Sequence, residues 1–391
     1  MSTTVDRKPL TVVVVGGGYG GIAVAKALDE EADVVLVDPK DSFEHNIAAL
    51  RALVDPSWSS RIRFSYDGLL KRGHVIRERA AQVDSRRVVL ESGKELTPDF
   101  IVLATGSSYP FPGNSGAEDA EEAVARFRDG YEALRGADRV LLLGAGPVGI
   151  ELAGEIAAVW PDKHVTIVDI ADDLLGGRFK AELRQELHRQ LEQHGVELVL
   201  GSPLREPPAT APGAPGTFTV STEAGIEITA DLWFRCYGVT PRSDYLVGDL
   251  ASARTPDGFI EVTPTLQLAG HPRVFALGDV STLNPKMAGA AGRQAQLVAN
   301  NIRALIDGGE LNEYESMLDV ILVTVGPEGG AAQLPGQDEI AGAETAAQYK
   351  SRDMMVERFG AMFDAAPPST PTSIAVEPGE SVHGPQAGSV T

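Results

Sequence analysis

The first apolar run of the chain, Leu10-Thr-Val-Val-Val-Val15, is rich in β-branched residues and stops at three consecutive glycines. A run without polar alternation predicts a strand buried on both faces, as in a parallel sheet. The period then changes. Gly20-Gly-Ile-Ala-Val-Ala-Lys-Ala-Leu28 carries a helical pattern, and Asp33-Val-Val-Leu-Val37 returns to an apolar strand closed by Asp38-Pro39. Strand, glycine turn, helix and strand within about 30 residues predict a β-α-β unit. The same order recurs in Arg139-Val-Leu-Leu-Leu143, the glycine turn Gly144-Ala-Gly-Pro-Val-Gly149, a helix through Val159 and a strand ending at Asp169. Gly16 and Gly144 stand 128 residues apart, too far for a tandem repeat array, so two separate nucleotide sites are expected.

Asp99-Phe-Ile-Val-Leu-Ala-Thr-Gly106 and Asp231-Leu-Trp-Phe-Arg-Cys-Tyr-Gly238 each run from apolar strand into glycine and then proline, which predicts two crossings between domains. Residues 203–217 hold five prolines and are expected to form an exposed hairpin loop without partners. Beyond Met317 the pattern predicts a strand at 320–325, a glycine turn near 326–330 and a helix around 343–363, with a disordered tail after Asp364.

Composition narrows the function. The formal charge of −21 opposes binding to nucleic acid or to anionic membrane surfaces. No apolar run reaches the roughly 18 residues of a membrane span, and a cytoplasmic enzyme is expected, either monomer or homodimer. One cysteine, Cys236, excludes an intrachain disulfide, a Cys-x-x-Cys redox pair and a multi-cysteine metal site, so no metal is expected. At the end of an apolar strand it reads as a buried thiol.

The glycines carry the chemistry. In Gly16, Gly18 and Gly21 the first permits the turn, the second admits a pyrophosphate and the third lets helix and strand pack closely. Helix N-terminal amides, which lack intrahelical partners, then hold the phosphate without a basic side chain. Asp38 follows at the end of the second strand, where a carboxylate accepts hydrogen bonds from ribose hydroxyls. Gly144, Gly146, Gly149 and Asp169 repeat the arrangement. Asp169 would repel a 2′-phosphate, so NADH is expected over NADPH, with Arg178 or Lys163 nearby as softening charges.

These segments, with Ala104-Thr105-Gly106 and Gly278-Asp279, occur in the order found in the two-dinucleotide-binding-domain flavoproteins. Asp41-Ser-Phe-Glu-His45-Asn46 through Arg51, and Asn284-Pro-Lys286-Met287-Ala288, resemble the ferroptosis-suppressor branch of the apoptosis-inducing-factor-like oxidoreductases. The resemblance implies an α/β fold of two Rossmann-like domains, with an NADH domain (113–243) inserted in an FAD domain (1–112 and 244–317), and a small α+β domain at 318–364. It implies FAD contacts from Gly16, Gly18, Tyr19, Gly20, Gly21, Asp38, Pro39, Lys40, His45, Asn46, Arg51, Val83, Ala104, Thr105, Gly106, Gly278, Asp279, Lys286, Met287 and Ala288. NADH contacts fall to Gly144, Gly146, Pro147, Val148, Gly149, Glu151, Asp169 and Gly238. Lys286–Ala288 would open a helix toward the flavin's pyrimidine edge, and Glu151 would face the nicotinamide, so Glu151 and Lys286 are the candidate catalytic side chains. Read alone, His45 is a surface or capping histidine, Lys286 a solvated lysine and Glu151 a helix-surface carboxylate.

The implied activity is NAD(P)H-dependent reduction of a quinone through FAD, with no dithiol relay. Two positions depart from that branch: Gly289 stands where an aromatic residue is expected and Gln294 where a histidine is, both toward the presumed acceptor side. Met354, Met355, Phe359, Met362 and Phe363 read either as ordinary domain packing or as an apolar face for a membrane or partner. Alternative readings are a ferredoxin or rubredoxin reductase, a flavin-dependent oxidase of a specialised metabolite, and a redox-sensing protein that signals through an FAD–NADH complex.

Overall fold

A computed structural model describes residues 10–317 and 319–364. The chain opens with β1 (Thr11–Val15), α1 (Tyr19–Leu28) and β2 (Asp33–Val37), passes a short helix α2 (Ala49–Val54) and adds β3 (His74–Ile76) and β4 (Phe100–Leu103). A crossing strand, β5 (Ser107–Ser108), leads through α3 (Ala120–Gly136) into a second unit. That unit comprises β6 (Arg139–Leu143), α4 (Pro147–Val159), β7 (His164–Val168), α5 (Ala181–Gln193), β8 (Glu197–Val199) and β9 (Leu232–Arg235). The chain returns along β10 (Thr240–Pro241), completes the first unit with β11 (Gln267–Leu268), β12 (His271–Ala276) and α6 (Ala288–Asp307), and ends in the hairpin β13 (Ile321–Val325) and β14 (Gly329–Gln333) and a short irregular segment.

The first sheet runs β11-β12-β4-β1-β2-β3 and is parallel apart from the β11–β12 pair. Its central strand shows why a bare run of valines is needed. Val12 and Val14 face Ile22 and Leu28 of α1 and Val298 and Ile302 of α6, while Val13 and Val15 face Val83, Leu90 and Leu250 on the opposite side. Successive side chains of a strand point to opposite faces, so a strand covered twice has no polar positions. The second sheet, β8-β7-β6-β9, is wholly parallel. The two crossings pair with each other: Ser107 lies opposite Pro241 and Ser108 opposite Thr240, an antiparallel strap between the units.

Two expectations fail. Residues 203–217 form no hairpin: Trp233 Nε1 donates to the Thr210 carbonyl at 3.0 Å and Gly213 N–H to the Trp233 carbonyl at 2.8 Å. The loop lies along β9, and the hairpin follows it at 218–221 and 227–230. Nor is 343–363 one helix. A turn of α-helix at Ala343–Ala346 widens into a π-turn at 347–351, Met354 and Met355 take left-handed φ of 51° and 62°, and helix resumes only at Val356–Gly360. The tail after Asp364 lies outside the described residues.

Candidate functional site

The two glycine turns are copies of each other at atomic detail. Gly16 and Gly144 take φ of 105° and 115°, and each donates its N–H to the carbonyl of the neighbouring strand at 2.8 Å. A Cβ on Gly16 would lie 2.5 Å from the Ala104 carbonyl oxygen. On Gly21 or Gly149 it would lie 1.7 or 1.9 Å from the carbonyl oxygen of the first glycine. The middle glycines differ. Nothing in the protein lies within 4 Å of a Cβ placed on Gly18 or Gly146, so the fold itself does not require glycine there. The space in front of them is kept open at the uncapped start of a helix, as a pyrophosphate requires.

The acids match as closely. Asp38 Oδ2 accepts from Gly17 N–H at 2.6 Å and Asp169 Oδ2 from Ala145 N–H at 2.5 Å. The other oxygens accept from Lys40 N–H at 2.9 Å and Ala171 N–H at 2.8 Å. A carboxylate has about four acceptor positions, so each retains capacity for ribose hydroxyls while it fixes its turn.

One cleft of about 1470 Å³ collects most of the expected FAD residues. Gly16, Gly18, Tyr19, Gly20, Asp38, Pro39, Lys40, Asn46, Ala104, Thr105, Gly106, Gly278, Asp279, Lys286, Met287 and Ala288 all line it, as do Pro147, Val148 and Glu151 from the second unit. Gly144, Gly146, Gly149 and Asp169 form the second turn but do not line this cleft, and Gly238 is exposed beyond β9 with φ of 85°. Gly21 is packed beneath Gly16.

Four placements correct the sequence reading. Val83 is fully buried in the core, its N–H donating to the Tyr245 carbonyl at 2.9 Å. His45 is fully buried and turned from the cleft; Nε2 donates to the Met354 carbonyl at 2.7 Å, and Nδ1 therefore accepts from the Tyr19 hydroxyl at 3.1 Å. Arg51 is buried against Glu155 and donates to the Ser351 carbonyl at 2.9 Å. Gln294 is 1% exposed and accepts from Gly278 N–H at 2.7 Å, so it braces the Gly-Asp turn, whereas Gly289 does line the cleft. The two alternatives for the terminal apolar side chains are also decided for the buried pair. Met354 and Phe363 are buried, and Phe363 stacks on Phe64 at 5.4 Å between ring centroids, so these side chains pack inward.

Within the cleft, Asp279 Oδ2 accepts from Tyr109 at 2.6 Å and Ser107 at 3.1 Å, tying the late acid to the crossing strand. Burial, with Asp279 beside it, pushes the Tyr109 hydroxyl well up from its ordinary value. Thr105 Oγ1 donates to the Arg242 carbonyl at 2.5 Å and accepts from the Tyr245 hydroxyl at 2.9 Å, which closes the other crossing. Lys286 donates to the Ser281 carbonyl and sits 4.4 Å over the Phe259 ring; burial pulls its ammonium down to about 8, with Asp279 opposing. Glu151 is buried and accepts from Lys350 at 2.5 Å and Thr324 N–H at 3.2 Å. Lys350, Tyr109 and Tyr349 also line the cleft, and no motif marks them. Cys236 reaches the cleft wall, but burial pushes its thiol up to about 12, which removes the thiolate needed for redox chemistry.

A paired set of dinucleotide turns on one chain, with a single cleft reaching from the first turn to the helix of the second, defines a flavoprotein oxidoreductase of the two-Rossmann type. Residues 10–295 match the pyridine nucleotide-disulphide oxidoreductase family, and the chain belongs to it. It is therefore an FAD-dependent NAD(P)H oxidoreductase, although one inert cysteine leaves the disulphide of the family's name without a counterpart here. The chain is 32% identical over 355 residues to ferroptosis suppressor protein 1 of Taeniopygia guttata, covering 89% of this chain and 94% of that one. It is 28% identical over 369 residues to apoptosis-inducing factor homolog B of Dictyostelium discoideum, covering 89% and 95%. In fold it is similar to the sulfide:quinone oxidoreductase of Aquifex aeolicus, with a TM-score of 0.73 at 19% identity over 92% of this chain and 93% of that one. The branch read from the motifs is thus borne out. No helix among the described residues is long and apolar enough to cross a membrane.

Proposed function

We propose that the chain oxidises NADH and reduces a quinone-like small molecule. The observation that carries this reading is the composition of the cleft. The first dinucleotide turn, Glu151 of the second unit, and an apolar wall of Ile321, Leu322, Leu334 and Met355 share one space, whose single thiol is inert. Bound FAD supplies the redox chemistry there, accepting a hydride and giving up electrons. The protein's own groups hold and orient. Amides at the start of α1 and the Asp38 carboxylate would hold the adenosine half, and the unpaired amides at the start of α6, with the Lys286 ammonium beside them, would stabilise negative charge on a reduced ring. An apolar wall accommodates an uncharged ring acceptor without leaving a polar group unpaired. The sulfide:quinone oxidoreductase with the same fold uses a quinone, as its name says, which supports the acceptor class.

The test is anaerobic addition of NADH to the FAD-loaded protein. Bleaching of the visible flavin band is expected, followed by recovery on adding a ubiquinone or menaquinone analogue. Absence of bleaching would overturn the reading, and recovery only with a protein carrier or oxygen would move the acceptor. Asp169 braces the second glycine turn as a carboxylate with spare acceptor capacity, which favours a ribose hydroxyl over a 2′-phosphate, so NADH should give the higher kcat/KM; a higher value for NADPH reverses the assignment.

A further inference from the structure

Arg51 belongs to the first unit, on α2, yet the acceptors of its side-chain hydrogen bonds, Glu155 and Ser351, lie outside that unit. Its guanidinium grips both oxygens of Glu155 on α4, through Nε and through Nη2 at 2.7 Å, and Nη2 also donates to the Ser351 carbonyl at 2.9 Å in the π-turn. The side chains are 7% and 1% exposed, and the Trp58 ring lies 5.2 Å from the guanidinium carbon. A planar fork bound in this way fixes direction as well as distance.

The two partners are each one step from a side chain in the cleft. Glu155 lies one helical turn beyond Glu151, so both face the same way from α4, and Ser351 follows Lys350 directly. Glu151 and Lys350 are themselves joined at 2.5 Å. Two carboxylates on the nucleotide helix thus meet two consecutive residues of the C-terminal segment, with Arg51 inserted from the FAD side.

We infer that Arg51 is a positioning residue for hydride transfer: by joining the FAD unit, the NADH helix and the C-terminal segment at one buried point, it sets the separation between the two nucleotide sites. The inference rests on the function proposed above. Binding of each nucleotide needs only its own turn, but reaction needs the two rings in register, so loss of the junction lowers rate more than affinity.

Removing Arg51 alone would leave Glu155 as a buried unpaired charge and could unfold the chain. The informative protein is therefore the double variant Arg51→Met/Glu155→Leu, which keeps volume and removes both charges, with Arg51→Lys as a partner that keeps the charge but loses the fork. In the FAD-loaded double variant, flavin reduction at saturating NADH should slow by about 10-fold or more, while the half-saturating NADH concentration moves by less than about threefold. Amide exchange across residues 347–356 should accelerate by about 10-fold, with or without NADH, a readout independent of turnover. Arg51→Lys should fall between parent and double variant in both measurements. Parental reduction rate in the double variant overturns the inference, even with faster exchange, as does a change confined to half-saturation. A parent protein that NADH fails to reduce overturns the functional reading first and this inference with it.

Discussion

Gly18 and Gly21 are spelled alike, but the structure assigns them different duties. Gly21 is dictated by backbone, since a Cβ would lie 1.7 Å from the Gly16 carbonyl oxygen and neither group is a flexible side chain. Gly18 is dictated by nothing in the protein. Gly21→Ala should therefore destabilise the FAD-free protein by about 3 kcal/mol in urea unfolding, as an overpacked contact does. Gly18→Ala should leave the same measurement within about 0.5 kcal/mol yet weaken FAD binding in a fluorescence titration. Undiminished FAD affinity in Gly18→Ala would remove the pyrophosphate from that position. These glycines were legible in the sequence because each acts through its own turn. His45 and Arg51 were not, because the groups that explain them lie 309 and 300 residues along the chain. Nothing local distinguishes a histidine beside a flavin from one donating to a distant carbonyl.

Among the elements, the two β-α-β units and the strand at 321–325 read directly from periodicity, because each apolar run is covered on faces that its own pattern specifies; the strand Gly329–Gln333 that pairs with it was not legible, since its glycines and alanines read as a turn. The segment 343–363 misled for a physical reason. Its apolar spacing is helical, but the first unit offers donors to carbonyls that a continuous helix would keep for itself: Arg51 takes Ser351 and His45 takes Met354, while Lys26 takes the Met362 carbonyl at the segment's end. Each such bond offsets a break in the ladder, and Met354 and Met355 turn left-handed where the chain bends to reach them. His45 makes this clasp sensitive to acid. Burial pulls its imidazole down to about 4; the bond to Met354 and Asp353 resist, and Lys350 assists. An unfolded histidine titrates near 6.5. Between those values the unfolded chain holds a proton there that the folded chain lacks, so stability is full above the unfolded value and declines as pH falls through it toward 4. Between about pH 7 and about pH 4.5 the loss from this group is on the order of 2 kcal/mol. His45→Gln, which can still donate to Met354, should lack that component when urea unfolding is compared at the two pH values. Parallel pH dependence in variant and parent would show that the ring is not neutral in the fold.

At the scale of the molecule, charge separates what a small acceptor meets from what a protein carrier meets. The chain carries −21 overall, yet basic side chains such as Lys286, Arg293, Lys350 and Arg358 match the carboxylates along the cleft in number. A neutral quinone entering that balanced space gains or loses little from the distant field. An acidic carrier must approach across a surface of its own sign, where repulsion lowers the encounter rate and salt relieves it. Raising ionic strength from about 0.01 M to about 0.15 M shortens the screening length from about 30 Å to about 8 Å. Turnover of a neutral quinone should then change by less than about twofold, while any reaction with an acidic ferredoxin should speed up severalfold. The comparison reaches past the motifs, because the two glycine turns and Asp279 answer to the nucleotides and do not distinguish one acceptor from another. A ferredoxin rate that is already fast at low salt and falls as salt rises would reveal an attractive docking surface, and would place the acceptor outside the cleft.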